Sequence, residues 1–107
     1  MKSAPVRFEI LKNGRRLAVT GIEKFGVLSA VISWIRRNPA NLTSEMRRED
    51  DFDELQFLRE ICEIEFGGLD SVADRNLFWG RESLRPGDEV TIRVLSVGEY
   101  DEPKSDA

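Results

Sequence analysis

The chain has 107 residues, 40% hydrophobic and 34% charged, with a formal net charge of −4 from 16 basic and 20 acidic side chains. That length suits one domain, residues 1–107, able to bury about two thirds of its unfolded surface without a metal or disulfide. The acidic balance gives no global electrostatic reason to expect nucleic acid or an anionic membrane as partner. There is no histidine and Cys62 is the single cysteine, which excludes Ser-His-Asp and Cys-His catalysis, histidine-ligated metals and an intramolecular disulfide.

The chain opens M-K-S-A-P-V-R-F-E-I, with no apolar segment after the lysine, and no run reaches the length of a membrane span. A cytoplasmic protein is the expectation. Val6 to Leu11 alternates, with Val6, Phe8 and Ile10 on one face and Arg7 and Glu9 on the other, as a half-buried strand does. Asn13-Gly14 then predicts a type I′ turn, because both central positions need φ > 0. The returning strand is Arg16 to Gly21, with Leu17 and Val19 inward.

Phe25 to Asn38 reads F-G-V-L-S-A-V-I-S-W-I-R-R-N. Wound at 100° per residue, its apolar side chains fill an arc of roughly 200°, predicting a helix stopped by Pro39 with Arg36 and Arg37 in its last turn. So wide an arc needs a second cover, and Leu42, Met46 or Phe52 in the following connection is expected to fold back over the flank bearing Trp34. A short helix over Asp51 to Arg59, capped by Asp51 or Asp53, fits that connection.

Cys62, Ile64 and Phe66 alternate with Glu63 and Glu65 in a further strand, ended by Gly67-Gly68. Leu69 to Asn76 reads as a loop and Leu77 to Trp79 as a short edge strand. Pro86-Gly87-Asp88 is a turn into a last strand whose apolar face is Val90, Ile92 and Val94. Residues 5–98 form the expected core, and the polar tail 99–107 is expected to fray.

This order, with Trp79 ahead of L-R-P-G-D-E-V-T-I, resembles the β-grasp arrangement of the ubiquitin-like sulfur carriers. With G-G-L-D-S it also resembles a set of small bacterial proteins of no assigned activity. The resemblance implies an α+β fold: hairpin, helix, strand, short strand, strand, with one helix on one face of a mixed sheet. The last strand would then lie between the first strand and Ile61–Phe66, with Arg93 flanked by Glu9 and by Glu63 or Glu65. Sulfur carriers act through a C-terminal Gly-Gly, whereas this sequence ends Lys104-Ser105-Asp106-Ala107, so the fold is carried over and the chemistry is not.

Several residues compete as sites. Asp70, Ser71, Asp74, Arg75 and Asn76 make the most polar loop, against the alternative that Asp70 or Ser71 caps a turn. Asp88 and Glu89 could be paired carboxylates, with turn chemistry the plainer account. The acidic run Glu49 to Glu54 lacks the spacing of a calcium loop and suits a solvated, helix-capping segment. Cys62, beside two glutamates, reads as a core cysteine, and Trp79 as core unless exposed, when it would mark a partner surface. Arg36, Arg37, Arg47, Arg48, Arg81 and Arg85 lack the interleaved aromatics of an RNA-binding face.

The expectation from sequence is a non-catalytic binding or assembly module without cofactor or metal. Its partner would be a protein or a second copy, met through an edge strand such as Arg16–Gly21 or through the helix flank; nucleic acid and membrane are not expected. The alternative is a small enzyme or ligand carrier using Asp70, Ser71, Arg75 and Asp88 in one pocket.

Overall fold

The computed structural model describes residues 5–104; Met1–Ala4 and Ser105–Ala107, the end of the tail included, lie outside that description. The chain is α+β, with six strands in two antiparallel three-stranded sheets and only short helical segments. β1 (Arg7–Lys12) and β2 (Arg15–Gly21) form the hairpin that Asn13-Gly14 demands. Asn13 has φ 52° and Gly14 φ 79°, the left-handed pair of a type I′ turn. A register shift between Ile10 and Leu11 places Phe8 opposite Thr20 and Ile10 opposite Ala18. Ala18 and Thr20 therefore share the face of Ile10; of the two residues expected inward, Leu17 still packs against the core at the irregularity, and Val19 is buried on the other face.

The expected helix over Phe25–Asn38 is instead a ten-residue strand, β3 (Gly26–Ile35). Val27, Val31, Ile32 and Ile35 are β-branched, and with Trp34 they favour a pleated surface over a helical turn. Read with period two, the even positions Leu28, Ala30, Ile32 and Trp34 are all apolar, while the odd ones run V-S-V-S-I. The wide apolar arc was this two-faced pattern wound on the wrong period.

β4 (Ile61–Asp70) pairs with β3 on one side and β5 (Arg75–Ser83) on the other. β4 does not stop at Gly67-Gly68. A Cβ on Gly67 would stand 2.6 Å from the Leu77 carbonyl oxygen, and one on Gly68 would strike the Val27 carbonyl. The two glycines let neighbouring backbones close in on β4 from both flanks. What looked like a loop from Leu69 to Asn76 shrinks to a four-residue hairpin turn, and the short strand at Leu77 lengthens to nine residues.

β6 (Val90–Leu95) pairs with β1 alone, giving sheet orders β2-β1-β6 and β3-β4-β5. The last strand is thus an edge, not the centre expected between β1 and β4, and no sheet is mixed. Arg93 donates to Glu9 Oε1 at 2.9 Å as expected, but Glu63 and Glu65 belong to the other sheet and pair with Arg81.

Ile10 and Ala18 of one sheet meet Ile64, Phe66, Leu77 and Trp79 of the other in a single core. Ile10 and Ile64 are fully buried, each contributing about 1.5–3 kcal/mol relative to exposure. Between β3 and β4, a 3-10 turn (Pro39–Asn41) and helices α1 (Ser44–Arg47) and α2 (Glu54–Leu58) make the connection. Asp53 caps α2, its carboxylate accepting from Gln56 N at 3.1 Å. The connection packs largely on itself: Phe52 and Phe57 rings lie 5.7 Å apart and Arg37 sits 4.9 Å above Phe57. Leu42 is buried, yet Trp34 remains 60% exposed, so the expected cover is not supplied.

Candidate functional site

Exposure on the facing sides of the two sheets follows a gradient. Along β2 and β5, where the sheets touch, Ala18, Thr20, Leu77 and Trp79 are buried. In the middle strands Ile10, Ile64 and Phe66 are buried as well. At the outer strands the same faces open: on β6 Val94 is 67% exposed, and on β3 Ile32 is 56% exposed beside Trp34.

The closed flank is held by a segment expected to fray. Glu99 to Lys104 runs as a strap from β2 to β5. Val19 N donates to the Asp101 carboxylate at 2.9 Å, and Asp101 N donates to the Val19 carbonyl at 2.9 Å. The Trp79 indole N–H donates to the Asp101 carbonyl at 2.7 Å, and Lys104 N to the Phe78 carbonyl at 2.7 Å. Tyr100 lays its ring over Gly21, and Arg7 donates to the Ser96 and Glu99 carbonyls. The strap occupies the β2 edge at Val19, one of the edges expected from sequence to meet a partner. It also buries Val19 from outside.

The open flank carries the candidate interface. Ser71 N donates to the Phe25 carbonyl at 3.0 Å, in the register that pairs Gly26 with Asp70 and Ile35 with Ile61. Antiparallel pairs alternate between bonded and non-bonded types. The odd residues of β3 therefore bond to β4, and Leu28, Ala30, Ile32 and Trp34 direct their N–H and C=O groups away from the sheet. From Leu28 to Trp34 this row extends over about 20 Å. β3 holds no charged residue and no proline, and its pairing with β4 keeps a constant register, without a bulge. Those are the usual devices that protect an edge. The other outer strands are guarded: β2 by Arg15, Arg16 and the strap, β5 by Arg75, Arg81 and a bulge, β6 by Arg93.

Beside β3 on the outer face lies an open depression of about 340 Å³, lined by Ser29, Val31, Ser33, Glu63, Glu65 and Phe78 among others. Gly67 and Gly68 leave its floor bare. Arg81 rims this face: it lies 2.9 Å from Glu65 and 3.6 Å from Glu63. Its pKa is raised above the ordinary arginine value by the hydrogen bond to Glu65, then by the charges of Glu65 and Glu63. The guanidinium is committed to those carboxylates.

The residues singled out from sequence serve separate local purposes. Asp70 accepts from Val72 N at 3.0 Å and Ala73 N at 3.1 Å, shaping the β4–β5 turn, and Ser71 joins that turn to Phe25. Arg75 pairs with Asp70 in register. Asp88 lies elsewhere, at the β1–β2 turn: it accepts from Asn13 Nδ2 at 3.0 Å and Arg85 N at 2.9 Å and stands 3.9 Å from Lys12 Nζ. The Asn13 bond, then the Arg85 backbone bond, holds its pKa below the ordinary carboxylate value. Lys12 also meets Glu82, seven residues along β5 from Arg75, so the two clusters are about 23 Å apart along the strand. They do not share a pocket. Trp79 is a core residue, and Cys62, opposite Trp34 in register, is half-buried rather than buried.

The basic pairs are dispersed, with Arg47 on Glu54, Arg37 on Phe57 and Arg81 on the glutamates of β4. Among the described residues no three acidic or cysteine side chains gather as a metal would require, and no helix is long and apolar enough to cross a membrane. Known protein families, curated proteins and solved structures give no match to this chain.

Proposed function

We propose that this protein is a non-catalytic assembly module of the cytoplasm that docks a protein partner by strand addition along β3. One observation carries this reading: a ten-residue edge strand, uncharged and half apolar on its exposed side, stands unguarded while the opposite flank is strapped shut. Strand addition supplies affinity through main-chain hydrogen bonds and specificity through alternate side chains. Val27, Val31, Ile32 and Trp34, all more than half exposed, are the side chains such a partner would cover.

The enzyme or ligand-carrier alternative needed Asp70, Ser71, Arg75 and Asp88 to converge, and their separation weighs against it. The β-grasp likeness rests on Trp79 and L-R-P-G-D-E-V-T-I. With a strand where its helix was expected, it adds no activity to the proposal.

In-cell photocrosslinking tests the reading. A photoreactive residue at Ser33 of β3 is expected to give a light-dependent adduct, with another protein or a second copy. The same probe at Arg16 of β2 is expected to give none. Adducts from neither position, or from β2 alone, overturn it.

A further inference from the structure

We infer that the occupant of the β3 edge is the β3 edge of a second copy, paired antiparallel about a two-fold axis through Val31. This rests on the reading of β3 as a docking edge and names its partner. Three observations select the partner and the register.

The first is area. The chain exposes 8078 Å², against about 6,100 Å² for a compact monomer of its mass. Setting aside the seven undescribed terminal residues at their largest possible share, about 1,100 Å², also lowers the compact-monomer figure to about 5,800 Å². Roughly 1,200 Å² of excess remains, enough to supply the ~800 Å² that each partner contributes to a standard interface. The radius of gyration, 17.7 Å, likewise exceeds the ~13 Å of a compact domain of this length.

The second is charge. Self-pairing places every residue of β3 near its own kind, so a single charged side chain near the axis would oppose its copy. Residues 26–35 contain none. β2, β5 and β6 would each bring arginines together.

The third is register. Only Leu28, Ala30, Ile32 and Trp34 point backbone groups outward, so even residues must face even residues. Centring the axis between residues 30 and 31 would set even against odd and form no bonds. Centring it on Ala30 faces each serine with a valine. Centring it on Val31 pairs like with like on the outer face: Val31 with Val31, Ser29 with Ser33, Val27 with Ile35. On the inner face it sets Leu28 against Trp34 and Ala30 against Ile32, large beside small at the centre. Each inner pair then exchanges two N–H···O bonds, and Ile32 and Trp34 gain the cover that the connection does not give them. The result is a six-stranded sheet, β5-β4-β3 continued by β3-β4-β5 of the second copy. A closed two-fold pairing of this kind is the commonest route to an oligomer.

The test combines solution mass with cysteine placement. By sedimentation velocity across the micromolar range the wild-type chain is expected to be a dimer. Ile32→Lys is expected to weaken dimerisation roughly a hundredfold by burying a charge at the seam, while Leu55→Lys on α2 leaves it unchanged. In a Cys62→Ala background, Val31→Cys faces its copy at about 4.5 Å between Cα atoms, within disulfide reach, so mild oxidation should link the dimer. Ser33→Cys lies about 13 Å from its copy in this register and should not link. Reading the disulfide keeps the outcome decisive even if Ile32→Lys fails to fold. A monomer throughout the range, a dimer indifferent to Ile32→Lys, or equal linking by Val31→Cys and Ser33→Cys each overturns self-pairing. A monomer that still gives a hetero-adduct from position 33 removes the second copy and leaves the docking edge. A monomer with no adduct removes both.

Discussion

The two flanks of this molecule begin from the same alternating strands and end in opposite states. At the β2/β5 flank, Asp101 bonds both backbone groups of Val19 and accepts the Trp79 indole, joining the sheets through one residue. At the β3/β6 flank the sheets part, and Ile32, Trp34 and Val94 face solvent. Both flanks carry apolar inner faces. What separates them is that Glu99–Lys104 covers one, while among the described residues no segment covers the other. A sheet edge is thus sealed by whatever strand or strap the topology delivers to it, and the flank left open keeps its backbone groups exposed.

The comparison breaks most directly at Trp79. Trp79→Ala leaves a cavity in the core and frees the Asp101 carbonyl, and is expected to cost about 3–5 kcal/mol in denaturant unfolding. Trp79→Phe keeps most of the packing but loses the indole N–H, for about 1 kcal/mol. A Phe variant as damaging as the Ala variant would mean the strap, not the core, dominates this flank.

Asp101→Ala strips a half-buried acceptor from Val19 N, with an expected loss of about 1–3 kcal/mol and faster amide exchange at Val19. No change would mean that the backbone bond at Val19 holds the strap alone. On the inner face beside it, Thr20 is fully buried and its hydroxyl has no partner among the described residues. Thr20→Val is expected to stabilise by about 1 kcal/mol, shifting the urea midpoint upward. A downward shift would reveal a partner for that hydroxyl.

On the open flank substitutions act on exposed side chains and cost the isolated chain little. Ile32→Lys changes a side chain already half in water, so the stability of the isolated chain should move by no more than about 0.5 kcal/mol, while the assembly suffers. The smallest effect belongs to Asp88. Its folded pKa lies below its unfolded value, so its contribution is present above the unfolded pKa and fades as pH falls through the folded one. Asp88→Asn should therefore lower the neutral-pH plateau of a stability–pH profile slightly, leave stability below the folded pKa nearly unchanged, and so flatten the acid limb. An unaltered acid limb would mean the turn contributes nothing through that charge.

Much of the local structure was legible, and the errors have definite causes. The Asn13-Gly14 hairpin, a cap at Asp51 or Asp53 and the Pro86-Gly87 turn depend on residues whose chemistry permits few conformations, whereas the Arg93–Glu9 pair follows from the β-grasp likeness and forms here between β6 and β1. β3 was misread because an apolar run with serines every four residues satisfies a helical arc and a two-residue alternation alike. Its β-branched residues were the signal that favoured the strand. At Asp70 and at Asp88 the turn reading is the one the hydrogen bonds support, whereas the exposed edge consists of residues that read as core.

The sequence by itself determined which segments alternate, where the chain must turn, and which catalytic chemistries are closed to a protein without histidine. Tertiary structure alone decided that Leu84–Val97 ends in an edge strand rather than a central one. It alone decided that a polar tail becomes a strap and that, among the described residues, β3 has β4 on one side and no strand on the other. Alternation states which face of a strand is apolar, and nothing in it states which strand comes to lie beside which. That choice is made by the competition among all edges for the few segments able to cover them.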